Sequence, residues 1–213
     1  HCPKRQAGNR QTGRTGIGIQ FSKPMRRVAL FFGSFNPIHN GHMHIAQEIL
    51  RQQKADEVQF VLSPQNPHKP ATELLPEHHR WNMLQLALEA HRKMIPNDIE
   101  LYLPMPSYTA ATLQKLTQEN PDTAFLMVLG ADTAASLPSW KNADYLMQFL
   151  RIVYPRKGIA LENNASETVL QNVSLQDISA TQIRLEKQVD RLKNWLPESV
   201  FNYIQTHQLF SDT

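Results

Sequence analysis

The sequence predicts a doubly wound α/β domain built on a mostly parallel sheet. Three observations carry that prediction. Short, continuously apolar runs such as Val28-Ala29-Leu30-Phe31-Phe32 and residues 124–129 have the composition of strands covered on both faces. Between such runs lie segments with helical spacing, as in Ile45, Ala46, Ile49 and Leu50. The alternation of the two patterns implies right-handed β-α-β units. Ligands of such sheets gather at the carboxyl ends of the strands, near the point where strand order reverses.

In chain order, 28–32 is the first strand, and the helix carrying Ile45 to Leu50 spans 42–53. Strand 58–62 leads into a proline-punctuated loop, SPQNPHKP, at 63–70. A helix over 77–91 has Trp81, Leu84 and Leu88 as its stripe, with His91 at its end. The segment Ile99-Glu100-Leu101-Tyr102 reads as a strand, 108–119 as a helix, and 124–129 as a strand ending at Gly130. A further helical stretch reaches strand 150–154 and a turn at 155–158. The last strand is expected in 169–175, with helices from Ser179 and again from about Pro197. The loops GSFNP, SPQNPHK and LGAD and the segment before Ser179 should then meet at one edge of the sheet.

The formal charge of +3 conceals a division: residues 1–27 hold seven basic and no acidic residues, leaving 15 basic and 19 acidic in the remainder. Any anion the body binds must therefore be met by local charges. Residues 1–24 carry four of the eight glycines, few apolar residues and no acid, the composition of a disordered leader. Met25 directly precedes the first strand and marks the expected natural start, with 1–24 vector-derived or upstream translation. An Arg-rich transit peptide and a nucleic-acid-binding arm are the other readings of that segment. Residues 25–213 are read as one domain. The single cysteine, Cys2, suits a reducing, cytoplasmic compartment. No apolar run reaches membrane-spanning length, and neither a membrane nor a nucleic acid is expected as partner of the body.

The chemistry concentrates in GSFNPIHNGH, residues 33–42. A glycine-containing exit from a strand lets backbone amides approach a ligand, and the helix that follows offers unpaired N–H groups and a positive dipole end. This outlines a phosphate site, although the GxxxxGK[ST] and GxGxxG patterns are both absent. His39 and His42 bracket the helix start, and their imidazole N–H groups can stabilise charge developing on one anion. One histidine there would be read as a cap or a solvated residue. Zinc on His39, His42 and His44 finds no support in an HExxH or cysteine pattern.

The second constellation is Ile178-Ser179-Ala180-Thr181-Gln182-Ile183-Arg184. Ser179 and Gln182 fit a capping box, which would explain them structurally. Thr181 and Arg184 are left over, about one turn apart, and Arg184 suits a bidentate hold on phosphate. With the first motif, this favours a triphosphate held between two helix N-termini.

GSFNPIHNGH resembles the (T/H)xGH signature of the nucleotidyltransferase superfamily, and ISATQIR resembles its ISxTxxR element. Over residues 26–209 the order and content are similar to bacterial nicotinate-nucleotide adenylyltransferases, including PHK at 67–69, PSYTAATL at 106–113, GAD at 130–132 and Pro-Ser-Trp at 138–140. The leader has no counterpart. The resemblance implies a Rossmann-like fold and a reaction in which ATP and nicotinate mononucleotide give nicotinate adenine dinucleotide and pyrophosphate, with magnesium. Attack on the α-phosphorus is implied to be direct and in line, and no nucleophile with a positioned base contradicts this.

Carried over by position, the resemblance implies that His42 stabilises the reacting phosphate and His39 assists it. Gly33, Ser34 and Phe35 lend main-chain groups to the nucleotides. Lys69 balances phosphate charge, and Asp132 binds a ribose hydroxyl. Ser179, Thr181 and Arg184 hold the ATP phosphates, Arg184 counting among the catalytic groups. Ser107, Tyr108 and Thr109 meet the nicotinate carboxylate, and Trp140 stacks on its ring, or else is a core aromatic. Lys141 stands where relatives often have an aromatic residue. The segment 106–113 offers donors and no acid, which suits a carboxylate rather than an amide.

Other readings are a sister enzyme such as phosphopantetheine adenylyltransferase, a nicotinamide-mononucleotide-using adenylyltransferase, and a non-catalytic nucleotide-binding protein. Sister enzymes do not need PSYT and PSW, and a non-catalytic protein would not need both histidines and Arg184. A class I aminoacyl-tRNA synthetase would need a KMSKS-like segment, which is missing.

Overall fold

The computed structural model describes residues 25–65, 74–159, 165–171, 173 and 178–210. Six strands form one sheet: β1 (Arg26–Gly33), β2 (Glu57–Leu62), β3 (Met94–Asn97), β4 (Thr123–Gly130), β5 (Leu150–Tyr154) and β6 (Glu167–Val169). Their order is β3-β2-β1-β4-β5-β6, and every pairing is parallel. The chain winds outward from β1 to β3 and then returns to start its second half beside β1. The order therefore reverses between β1 and β4, where a crevice opens beyond their carboxyl ends.

Alternation along β1 builds both cores. Ala29 and Phe31 face α1 (Asn40–Arg51), α2 (Glu77–Leu88), α6 (Ala180–Leu185) and α8 (Glu198–Thr206), through residues such as Ile49, Leu84, Ile183 and Ile204. Val28 and Leu30 face α3 (Thr109–Glu119), α4 (Ala131–Ser136) and α5 (Ala143–Leu146), packing with Leu113, Leu116, Leu137 and Leu146. Both faces of β1 are thus dry, as its unbroken apolar run requires. A further helix, α7 (Val189–Trp195), precedes α8 and was not anticipated as a separate element.

The expected strand at Ile99–Tyr102 is instead a 3₁₀ turn, and the third strand is Met94–Asn97. The Asn97 side chain explains the boundary: its Oδ1 accepts from the Ile99 amide at 2.9 Å, bending the chain out of the sheet. Helix α2 stops at Leu88 rather than 91. Of the expected last strand only Val169 lies in β6; residues 172 and 174–177 lie outside the described residues, as do residues 1–24. Among the described residues no helix is long and apolar enough to cross a membrane.

Candidate active site

At the carboxyl end of β1 the chain turns sharply into α1. A Cβ on Gly33 would lie 2.9 Å from the Phe35 ring, which is itself buried against Phe31 and Phe60, so only glycine fits. Phe35 adopts a left-handed φ of 42°, an uncommon conformation for a bulky residue that the packing of its ring imposes. Ser34 is half-buried in this turn.

His39 caps α1, and the ring of His42 reaches back to it, accepting from the His39 amide at Nδ1 over 3.3 Å. That bond leaves the hydrogen of a neutral His42 ring on Nε2. The two imidazoles stack with centroids 3.7 Å apart. His39 is 5 % exposed, and its Nδ1 is buried without a partner. Burial, and then the charge of Arg156, hold its pKa down to about 4. His39 is neutral at physiological pH.

The two sequence motifs meet here although they come from opposite ends of the chain. Arg184 donates from Nη1 to the Asn36 carbonyl at 2.9 Å and from Nη2 to the Thr181 hydroxyl at 3.4 Å. The Ile178 carbonyl lies 4.0 Å from where a Cβ on Gly41 would sit. Ser179 and Gln182 form the capping box read from the sequence: the Gln182 amide donates to Ser179 Oγ at 3.2 Å, and the Ser179 amide to Gln182 Oε1 at 2.8 Å. Ser179 and Thr181 are exposed toward solvent and Arg184 is half-buried.

Beside β4, a Cβ on Gly130 would stand 2.5 Å from Asp132 Oδ1, so the glycine leaves room for the Asp132 carboxylate over the strand end. Asp132 pairs with Arg156 at 3.5 Å, and that guanidinium also lies 5.3 Å over the Tyr154 ring. Lys69 lies outside the described residues.

A cleft of about 440 Å³ continues from Gly33 along the β4 side. Ser107, Tyr108, Thr109 and Trp140 all line it, as the sequence reading expected of a common pocket. Phe32, Val128, Leu129 and Leu146 give it apolar walls, and Trp140 is fixed by its indole N–H, which donates to Ser136 Oγ at 3.3 Å. The segment 106–113 indeed carries no acid, but one reaches the pocket from an earlier element. Glu100, 2 % exposed, lines it and accepts from Ser107 Oγ at 2.9 Å and Thr112 Oγ1 at 2.8 Å. Burial pushes its pKa up, against hydrogen bonds from Thr112, Ser107 and Ser63. The 3₁₀ turn misread as a strand is what folds this carboxylate under the Ser107 loop.

Comparison with known proteins agrees with this geometry. The cytidylyltransferase-like family model matches residues 30–186. The probable nicotinate-nucleotide adenylyltransferase of Bacteroides thetaiotaomicron is 37 % identical over 186 residues, which is 85 % of this chain and 92 % of that one. Its namesake from Christiangramia forsetii is 35 % identical over 185 residues, 84 % of this chain and 95 % of that one. The chain belongs to the nicotinate-nucleotide adenylyltransferase family. In fold it is similar to the Plasmodium falciparum nicotinic acid mononucleotide adenylyltransferase solved with NaAD, at a TM-score of 0.77 and 20 % identity, covering 88 % of this chain and 98 % of that one.

Sequence reasoning missed three groups in this adenylyltransferase fold, although it noted Lys141, which lines the cleft beside Trp140. Glu100 lines the cleft too, and Arg156 attends Asp132. Arg80 is the third: buried in α2, it donates to the carbonyls of Leu75, Ser34, Ser63 and Pro64 at 2.7–2.9 Å, tying the loops after β1 and β2 together. Arginine between half-polar neighbours on a helix gives no local sign of this. Among the described residues no group of three or more His, Cys, Asp or Glu is arranged to hold a metal ion, His39, His42 and His44 included.

Proposed function

We propose that this chain transfers the adenylyl group of ATP to nicotinate mononucleotide, giving nicotinate adenine dinucleotide and pyrophosphate, a step of NAD biosynthesis. The observation that carries this reading is the bond from Arg184 to the Asn36 carbonyl, which joins the two phosphate-type motifs across the β1/β4 reversal. Beside that junction runs a cleft with an aromatic wall and hydroxyl donors, suited to a flat, acid-bearing ring.

In the reaction a 5′-phosphate oxygen of the mononucleotide attacks the α-phosphorus, the bond to the β-phosphate oxygen breaks, and pyrophosphate leaves. Catalysis then rests on holding the two phosphates in line and stabilising charge on the α-phosphate oxygens. His42 donates from Nε2 to those oxygens, and His39, neutral behind it, fixes its ring. Ser179, Thr181 and Arg184 hold the outgoing β- and γ-phosphates, with Lys69 adding charge, and the Gly33-Ser34-Phe35 backbone lies against both nucleotides. Asp132 accepts from a ribose hydroxyl. Thr109, with the backbone of Ser107 and Tyr108, meets the nicotinate carboxylate, and Trp140 stacks on its ring. We take magnesium to enter as part of the ATP substrate, since it prefers phosphate oxygens and water to an all-protein cage.

The test is direct. The protein, incubated with ATP, magnesium and separate samples of nicotinate mononucleotide, nicotinamide mononucleotide and phosphopantetheine, should convert the first to its dinucleotide with one pyrophosphate released per turnover. Product formed from phosphopantetheine alone would refute the assignment.

A further inference from the structure

The cleft beside β4 is electrically lopsided. Among its lining residues only Glu100 and Lys141 carry charge. Glu100 is buried in its lining, with its oxygens occupied by the hydroxyls of Ser107 and Thr112. Ser107 and Thr112 therefore have no hydroxyl hydrogen left for a bound pyridine ring. A ring carboxylate brings a full charge into the apolar cleft that the remaining neutral donors meet only in part, whereas an amide brings none.

Lys141 supplies the opposite pole. Its Nζ lies 4.0 Å over the centroid of the Tyr108 ring, so the ammonium is held at the rim of the cleft rather than swinging freely in solvent. Tyr108 is the N-cap residue of α3, whose positive dipole end therefore faces the same place. Among the described residues Lys141 forms no ion pair, so its charge is available to a ligand.

We infer that Lys141, seated on the Tyr108 ring, is the specificity-determining residue that makes this site prefer the acid mononucleotide over the amide. The inference rests on the adenylyl-transfer reading of the same site and adds to it the group that selects the acceptor. The ammonium pairs with the ring carboxylate; the amide, carrying no charge, gains nothing from it. The effect is expressed in acceptor binding and leaves the phosphates untouched.

The experiment compares kcat/KM for nicotinate and nicotinamide mononucleotides, at saturating ATP and magnesium, in the unmutated enzyme, Lys141→Met and Lys141→Arg. Lys141→Met should lower kcat/KM for the acid by about tenfold, chiefly through KM, with the amide value and the KM for ATP unchanged. Lys141→Arg should restore the acid value. Because Lys141 is exposed, the methionine variant should fold, and calorimetric titration of it with nicotinate mononucleotide alone should show the same fall in affinity. An unaltered ratio between acid and amide in Lys141→Met overturns the inference while leaving adenylyl transfer standing. An unmutated enzyme that uses neither mononucleotide overturns both.

Discussion

The imidazoles of His39 and His42 lie face to face, their centroids 3.7 Å apart and their planes 30° from parallel. Two imidazolium ions cannot share that spacing in a half-buried site without strong repulsion. Burial removes the charge from His39, and the hydrogen bond from the His39 backbone engages His42 through Nδ1. On the proposed mechanism the pair acts through one donor, the Nε2–H of His42, with a neutral backing.

From this follows the effect of removing the donor. His42→Ala should cut turnover by on the order of a hundredfold or more, since on the proposed mechanism it deletes a donor to charge developing in the transition state. The His42 ring also packs edge-on to Phe31 and Phe35, with centroids 5.7 and 5.3 Å away, so a small loss of thermal stability should accompany it. Steady-state kinetics on the folded variant decide the matter, and near-normal turnover would sink the catalytic assignment.

His39 makes the fold pH-sensitive in a calculable direction. Its pKa is about 4 in the fold and about 6.5 when unfolded. Above 6.5 both states are neutral and the residue contributes no slope. Between 6.5 and 4 the unfolded chain takes up a proton that the folded chain refuses, so stability falls as pH falls, by roughly 3 kcal/mol across the window. Urea unfolding from pH 7.5 to 4 should therefore show a steeper acid-side decline in the unmutated protein than in His39→Asn. Parallel curves would disprove the burial argument.

The first strand, its glycine exit and both histidines could be read from the sequence because each signal is local: an apolar run, a turn residue, a spacing of three. Arg184 could be read as a phosphate ligand, but not that its guanidinium would reach the Asn36 carbonyl, 148 residues away in the chain. Glu100 failed for a related reason. In IELY the alternation resembles a strand, and the Asn97 side chain that ends the strand before it acts through a hydrogen bond without periodicity. Arg80 sits among helix formers, and its significance lies in acceptors at Ser34 and Ser63, on loops that come together only in the fold.

Those acceptors define the cost of removing Arg80. Arg80→Met leaves four buried or half-buried carbonyls without their donor and should destabilise the protein by about 3 kcal/mol or more. Arg80→Lys should recover only part of this, because an ammonium lacks the planar fork that spans two loops. Denaturant midpoints measure the loss. Kinetics on whatever fraction folds should show KM raised for both substrates if, as proposed, the turn after β1 and the start of the loop after β2 bind them. A midpoint unchanged in Arg80→Met would mean that the carbonyls find water at no penalty.

The last prediction concerns Glu100 and has a sign opposite to intuition about a buried carboxylate in a binding site. Its carboxyl accepts from Ser107 and Thr112, so it orders the loop that lines the cleft. Glu100→Ala deletes that acceptor, leaves two hydroxyls without partners and should raise KM for the mononucleotide while sparing KM for ATP. Glu100→Gln keeps one carbonyl oxygen for a hydroxyl and nearly the same shape, so the loop should stay close to its native position. What glutamine removes is the negative charge that an ionised Glu100 places beside the cleft. A carboxylate on the ring then meets less repulsion, and an amide is unaffected. Glu100→Gln should consequently widen the preference for the acid over the amide, by a few-fold to about tenfold, whereas Glu100→Ala should weaken use of both. The ratio of the two kcat/KM values in each variant is the measurement. A Glu100→Gln enzyme with a narrowed ratio would mean that Glu100 is already protonated in the folded protein and donates to the ring carboxylate, and the field argument would fail.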